Sequence, residues 1–195
     1  MTTKPPPATL PRIGIVVWLV LLGTCGLTRG VSEYSVTAIE PPPSVETAQP
    51  SAFTAGASHL AYTWMMSEWR RPLGLLAALI SLLLIWGGVR VARRSPDGRW
   101  WASQALLAKL VLVTMEFGLQ MRLAFAEKPK LYALAESVAA QGGESSSRLS
   151  PGQHFGLICA SFALSFAIGV AIFSYVLWRV RQEVPANPGK QPRAA

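Results

Sequence analysis

From Phe155 to Trp178 the chain runs 24 residues without a single charged side chain. At 1.5 Å rise per residue, about 20 apolar residues span the hydrocarbon core of a bilayer. A stretch of this kind leaves few folds open. In lipid every backbone polar group must find its partner internally, so a spanning segment is helical unless it belongs to a closed barrel. Three further stretches share the pattern: Ile13 to Thr28, Pro72 to Val89 and Ala102 to Phe125. Apolar residues make up 51% of the chain and charged residues 14%, against roughly a quarter charged in soluble domains. The expected fold is all-α: a small multi-pass transmembrane helical bundle of four spans. It falls to three if residues 13–28 are a cleaved signal peptide.

Residues 13–28 carry both readings. Residues 1–12 form a mildly basic leader, Ile13 to Leu22 is an apolar run, and Gly23, Thr24, Cys25 and Gly26 follow as small residues. That layout suits a signal peptide as well as an uncleaved anchor, and the anchor is favoured here. Cys25 and Cys159 both lie within apolar stretches and form no metal-type spacing.

The net charge of +8 is an orientation signal. Lys4 and Arg12 precede the first stretch. Arg90, Arg93, Arg94 and Arg99 lie between the second and third, and Arg179, Arg181, Lys190 and Arg193 follow the fourth. Only Asp97 and Glu183 oppose them. The positive-inside rule places these regions, and so both termini, in the cytoplasm. The opposite loops, 29–71 and 126–154, balance six basic residues against seven acidic ones. This distribution excludes a nucleic-acid surface and suits the inner membrane of a bacterium. Trp86, Trp100, Trp101 and Trp178 fall at the expected inner boundary and Trp64 and Trp69 at the outer one, as interfacial aromatics do.

Between the spans, Val31 to Ile39 alternates loosely and predicts a short strand. Pro41-Pro42-Pro43 predicts an extended linker. Ala52 to Arg71 predicts a helix lying toward the membrane on Tyr62, Met65, Met66 and Trp69, with Pro72 opening the next span. Lys130 to Gln141 predicts a short amphipathic helix stopped by Gly142-Gly143. Glu144 to Gly152 is Ser-rich and predicts a mobile stretch, and the tails Met1 to Pro11 and Val184 to Ala195, the latter within the basic tail 179–195, predict disorder.

The third span is the unusual one, because Lys109, Glu116 and Gln120 lie inside it. A charge at the bilayer centre costs roughly 2.5–3.5 kcal/mol on insertion scales. At 100° per residue, Lys109 and Glu116 are about 20° apart on the helix and Gln120 joins them. Ala102, Ala105 and Val113 share that face. Taking Val113 as the midplane, Lys109 lies about 6 Å to one side and Glu116 about 4–5 Å to the other. Lys109 has a stem long enough to snorkel; Glu116 does not. The fourth span offers a seam of small residues, Ser161, Ser165 and Gly169, and Glu116 is expected to pack against it. The alternative is a neutral Glu116, because removal from water disfavours a carboxylate.

No phosphate loop, dinucleotide fingerprint, nucleophile elbow or zinc-protease motif occurs. No catalytic residue, cofactor or metal site is therefore assigned. His59 and His154 are the two histidines, and a metal on the outer face would have to use them. The leading expectation is a non-enzymatic membrane subunit or scaffold. It would dock a membrane-protein partner or a second copy of itself through its spans and outer loop. A small transporter or channel component using Lys109 and Glu116 is the alternative, and an outer-face metal-handling protein the third.

Overall fold

A computed structural model describes residues 10–35, 51–140 and 149–183. Among these, 92% are helical and none lies in a strand. Six helices follow in order: α1 (Leu10–Ser35), α2 (Ala52–Met66), α3 (Arg70–Ala92), α4 (Gly98–Ala126), α5 (Lys128–Ala140) and α6 (Pro151–Glu183). Four of them, α1, α3, α4 and α6, are long and apolar enough to cross a membrane. The protein is thus an all-α, multi-pass helical membrane bundle. Its chain divides into two compact units, the first built from residues 10–32, 74–112 and 170–183, the second from 33–35, 51–73, 113–140 and 149–169.

The first unit is organised by close helix contact. On α1 the buried face runs Ile15, Leu19, Gly23, then half-buried Gly26, then Gly30, at three- and four-residue spacing. A Cβ at Gly30 would stand 2.6 Å from the Gly74 carbonyl oxygen and 2.7 Å from the Ala78 nitrogen on α3. One at Gly23 would stand 2.6 Å from Ile85 Cγ1 and 3.0 Å from the Ser81 carbonyl oxygen. Gly23 and Gly26, two of the small residues that suit a signal-cleavage region, thus lie with Gly30 on the face where α1 meets α3, as small residues do where membrane helices approach closely, while Thr24 and Cys25 are exposed. Gly87 does the same between α3 and α4, where a Cβ would stand 3.0 Å from the backbone of Ala102.

The turn from α3 to α4 is tight. Ser95 N–H donates to the Arg90 carbonyl at 2.9 Å and Arg94 N–H to that of Val91 at 3.2 Å, the paired bonds of a Schellman ending. Arg94 takes the left-handed position with φ 56°, where glycine is usual.

In the second unit α2 packs against α5. Ala52 and Ala55 meet Ala135 and Val138, while Leu60, Ala124, Leu131, Phe155 and Ile158 form a larger apolar cluster. Gly56 leaves room for Ile158, whose Cδ1 would be 2.8 Å from a Cβ there. Phe117 of α4 stacks on Phe166 of α6 with centroids 4.4 Å apart.

Three expectations change. Val31 to Ser35 are the last turns of α1, not a strand, because the helix already committed at Leu10 continues through them; residues 36–39 lie outside the described residues. The 52–71 helix stops at Met66, where Ser67 takes an extended conformation, and α3 starts afresh at Arg70 with Pro72 in its first turn. The buried face of α2 is Ala52, Ala55, Gly56 and Leu60, whereas Met65, Met66 and Trp69 are exposed. The proline run at 41–43, Gly142-Gly143, the serine run at 145–147, residues 1–9 and the tail from 184 lie outside the described residues.

The glycine face gives a test. Gly30→Ala is expected to cost about 1–3 kcal/mol, the usual cost of overpacking, because the atoms it meets are α3 backbone. Gly118→Ala, with nothing within 4 Å of its Cβ, is expected to gain up to ~1 kcal/mol from helix propensity. Thermal melting of both variants in detergent checks the contrast.

Candidate functional site: the polar face of α4

The face of α4 turned into the protein carries Ala102, Ala105, Lys109, Leu112 and Glu116, all buried. It continues through half-buried Gln120, Leu123 and Glu127. Steps of three and four residues keep these positions on one side of a helix. The polar side chains therefore occupy the packing positions of α4, while Val111, Met115 and Phe125 point outward and are at least half exposed.

Lys109 belongs to the first unit, and Glu116 and Gln120 to the second. Lys109 is only 8% exposed. Its Nζ would be 3.3 Å from a Cβ at Gly26 of α1, and the same Cβ would collide with Ser81 Oγ of α3. The Lys109 side chain thus reaches the contact between α1 and α3, beside the hydroxyl of fully buried Ser81. That hydroxyl donates to the Ala77 carbonyl at 2.6 Å, which leaves its lone pairs facing the glycine gap. A side chain larger than hydrogen at residue 26 would close this space. Lys109 is enclosed by protein rather than snorkelling to a surface.

Glu116 is 6% exposed, so it too is covered by the chain itself. The seam proposed for it lies on α6 at the edge of that helix's buried face. Ser161 and Gly169 are half-buried and Ser165 is exposed. Ser161 Oγ donates to the Ile158 carbonyl at 2.7 Å and Ser165 Oγ to that of Ser161 at 2.9 Å. Both hydroxyl protons are thus used within α6. Gly169 lies across from α4, with Val113 Cγ1 3.8 Å from its Cβ position.

Sequence reasoning stopped the stripe at Gln120, but the structure carries it on to Glu127. Glu127 N–H donates to the Leu123 carbonyl at 2.9 Å, and the Glu127 carbonyl accepts from Leu131 N–H at 3.0 Å. This residue therefore joins α4 to α5 in helical register. Its carboxylate accepts from His59 Nε2 at 3.0 Å and forms an ion pair with Lys130 at 2.9 Å. Three elements meet there: α2 through His59, the α4–α5 joint through Glu127, and α5 through Lys130. The signal was present in the three- and four-residue spacing from Glu116 to Glu127, but the His59 contact spans 68 residues, a separation no local pattern reports.

His154 lies apart in the first turn of α6, 6% exposed, and its Nδ1 has no hydrogen-bond partner among the described residues. Its backbone N–H donates to the Ser150 carbonyl at 3.1 Å. Among the described residues no group of three His, Cys, Asp or Glu side chains is arranged to hold a metal.

The hydrogen bond from Lys130, then that from His59, holds the Glu127 carboxyl below its ordinary range. A depressed folded value means the contact stabilises the protein above the ordinary carboxyl range and loses that contribution as pH falls through the folded value. Wild type is therefore expected to melt higher than Glu127→Gln near neutrality, with the gap closing on acidification below about pH 4.5. Melting curves across pH in one detergent check the sign. No family model, curated protein or solved structure matches the chain, so a function has to be argued from these side chains alone.

Proposed function

We propose that the protein is a non-catalytic integral membrane subunit of the bacterial inner membrane, with both termini cytoplasmic, that docks a partner membrane helix on α6. The observation that carries this reading is the poor coverage of α6 by the described residues. Only 11% of its most apolar window is buried, against 50% for α3 and 39% for α4. The uncovered side presents Gly156, Ala160, Ala163 and Ala167, all exposed, in one row at three- and four-residue spacing. Without a hydrophobic driving force in lipid, helices associate where small residues let backbones approach. Leu164 and Ile168, 63% and 52% exposed, flank that row and would give the contact area.

The burial of Lys109 and Glu116 assigns the polar stripe an internal role in this reading. Charges enclosed by the chain hold its own helices in register and leave docking to the apolar face. The same burial supports a second reading, a transporter or channel component, because ionisable groups inside membrane helices mark ion and substrate paths. The two readings separate cleanly: a transporter gives pH- or ion-dependent flux from the isolated chain in liposomes, abolished by Glu116→Gln.

Docking on α6 is tested by Ala163→Trp and Ala167→Trp, both at exposed positions. Each is expected to leave the melting temperature within about 2 °C of wild type, since surface changes usually stay within about 0.5 kcal/mol. Each should also reduce recovery of the partner, or of a second copy, at least tenfold in mild-detergent purification read by mass spectrometry. Undiminished recovery in both variants overturns the docking face.

A further inference from the structure

In the second unit a slot of about 180 Å³ opens between α2, α4 and α6. Ala57, Ala61 and Trp64 line it from α2, Gln120 and Leu123 from α4, and Phe162 from α6. The slot exists because α2 presents alanines where larger residues would fill it. We propose that this slot holds a segment of one acyl chain of a bilayer phospholipid, the rest of the chain lying in the surrounding bilayer.

Water is a poor occupant. Each buried water needs two to four polar partners and takes about 30 Å³, so filling the slot would take several waters, while the polar groups of the lining side chains are the Gln120 carboxamide and the Trp64 indole N–H alone. An apolar cavity of roughly 150 Å³ stays dry and accepts hydrocarbon, and this slot is somewhat larger. Two of its three walls, α4 and α6, are membrane-spanning helices, and Gln120, Leu123 and Phe162 all lie within the spans. The slot therefore borders hydrocarbon, and the molecule present there at highest concentration is the membrane's own lipid.

The polarity along α4 suits an amphiphile. One turn beyond Leu123 stands Glu127, with His59 and Lys130 upon it. Lys130 is 68% exposed, so its ammonium keeps donors available beside the Glu127 carboxylate. A chain seated against Leu123 and Phe162 would leave its headgroup at that charged end.

Native mass spectrometry of the full chain, extracted into a non-ionic detergent, tests the assignment. Wild type is expected to retain one phospholipid after the loosely held lipids have been stripped by rising detergent. Ala57→Leu and Ala61→Phe fill the slot and should lower the population of that one-lipid species at least tenfold. Their melting temperatures should be no lower than that of delipidated wild type, and Val111→Phe on the outward side of α4 should keep the lipid. The proposal is overturned if no single lipid survives stripping in wild type, if both filled variants keep it, or if the retained mass is a free fatty acid or a second chain. The wild-type stripping curve decides the matter even if a filled variant fails to fold.

Discussion

A lysine and a glutamate on one helix of a membrane bundle must be covered by protein, because hydrocarbon offers neither solvation nor a hydrogen-bond partner. The arrangement around α4 answers that demand. Lys109 can reach the junction of α1 and α3 only because residue 26 is glycine and residue 81 is serine. Ala102 of α4 lies against Gly87 of α3, which brings the two backbones close enough to shut lipid out. The small residues on α1, α3 and α4 are the means by which a charged packing face stays dry. Larger residues there would gain dispersion contacts, yet would hold the helices apart and expose the polar groups they now enclose.

Much of this was legible in the chain. Length and apolarity marked four spans, and helical phase placed Lys109, Glu116 and Gln120 on one face. The buried positions of α4 agree with that phase. Gly74, Ala77, Ala78 and Ser81 form a small face on α3, and it is there that α1 packs. The partner face on α1 carried two readings, since Gly23 and Gly26 beside a short apolar run satisfy the pattern of a cleavage region as well as that of a packing seam. Both uses need small side chains for the same steric reason, so sequence alone does not separate them.

What was not legible is long-range. His59 resembled an isolated interfacial imidazole, and Glu127 one of several loop acids. Their contact depends on α2 docking on α5 through alanines, a face distinct from the Tyr62, Met65, Met66 and Trp69 row that periodicity favoured. In a short helix several rows of apolar residues compete, and tertiary packing selects among them. Here the selected row has the smallest side chains, and that choice both brings His59 to Glu127 and leaves the slot beside Trp64.

The two sides of α6 show how far burial constrains function. On the edge where Glu116 was expected to pack, Ser161 and Ser165 donate their protons to their own helix, and Gly169 lies across from α4. Back-bonded hydroxyls of this kind behave in lipid as small, nearly apolar surfaces, with their acceptor lone pairs alone remaining. The row of Gly156, Ala160, Ala163 and Ala167 has no side-chain polar group to satisfy and is exposed among the described residues. A charge once enclosed has no further claim on a partner, whereas a smooth uncovered helix face gains contact area from one. That asymmetry is why docking is argued from the featureless side of α6 and not from the conspicuous residues of α4.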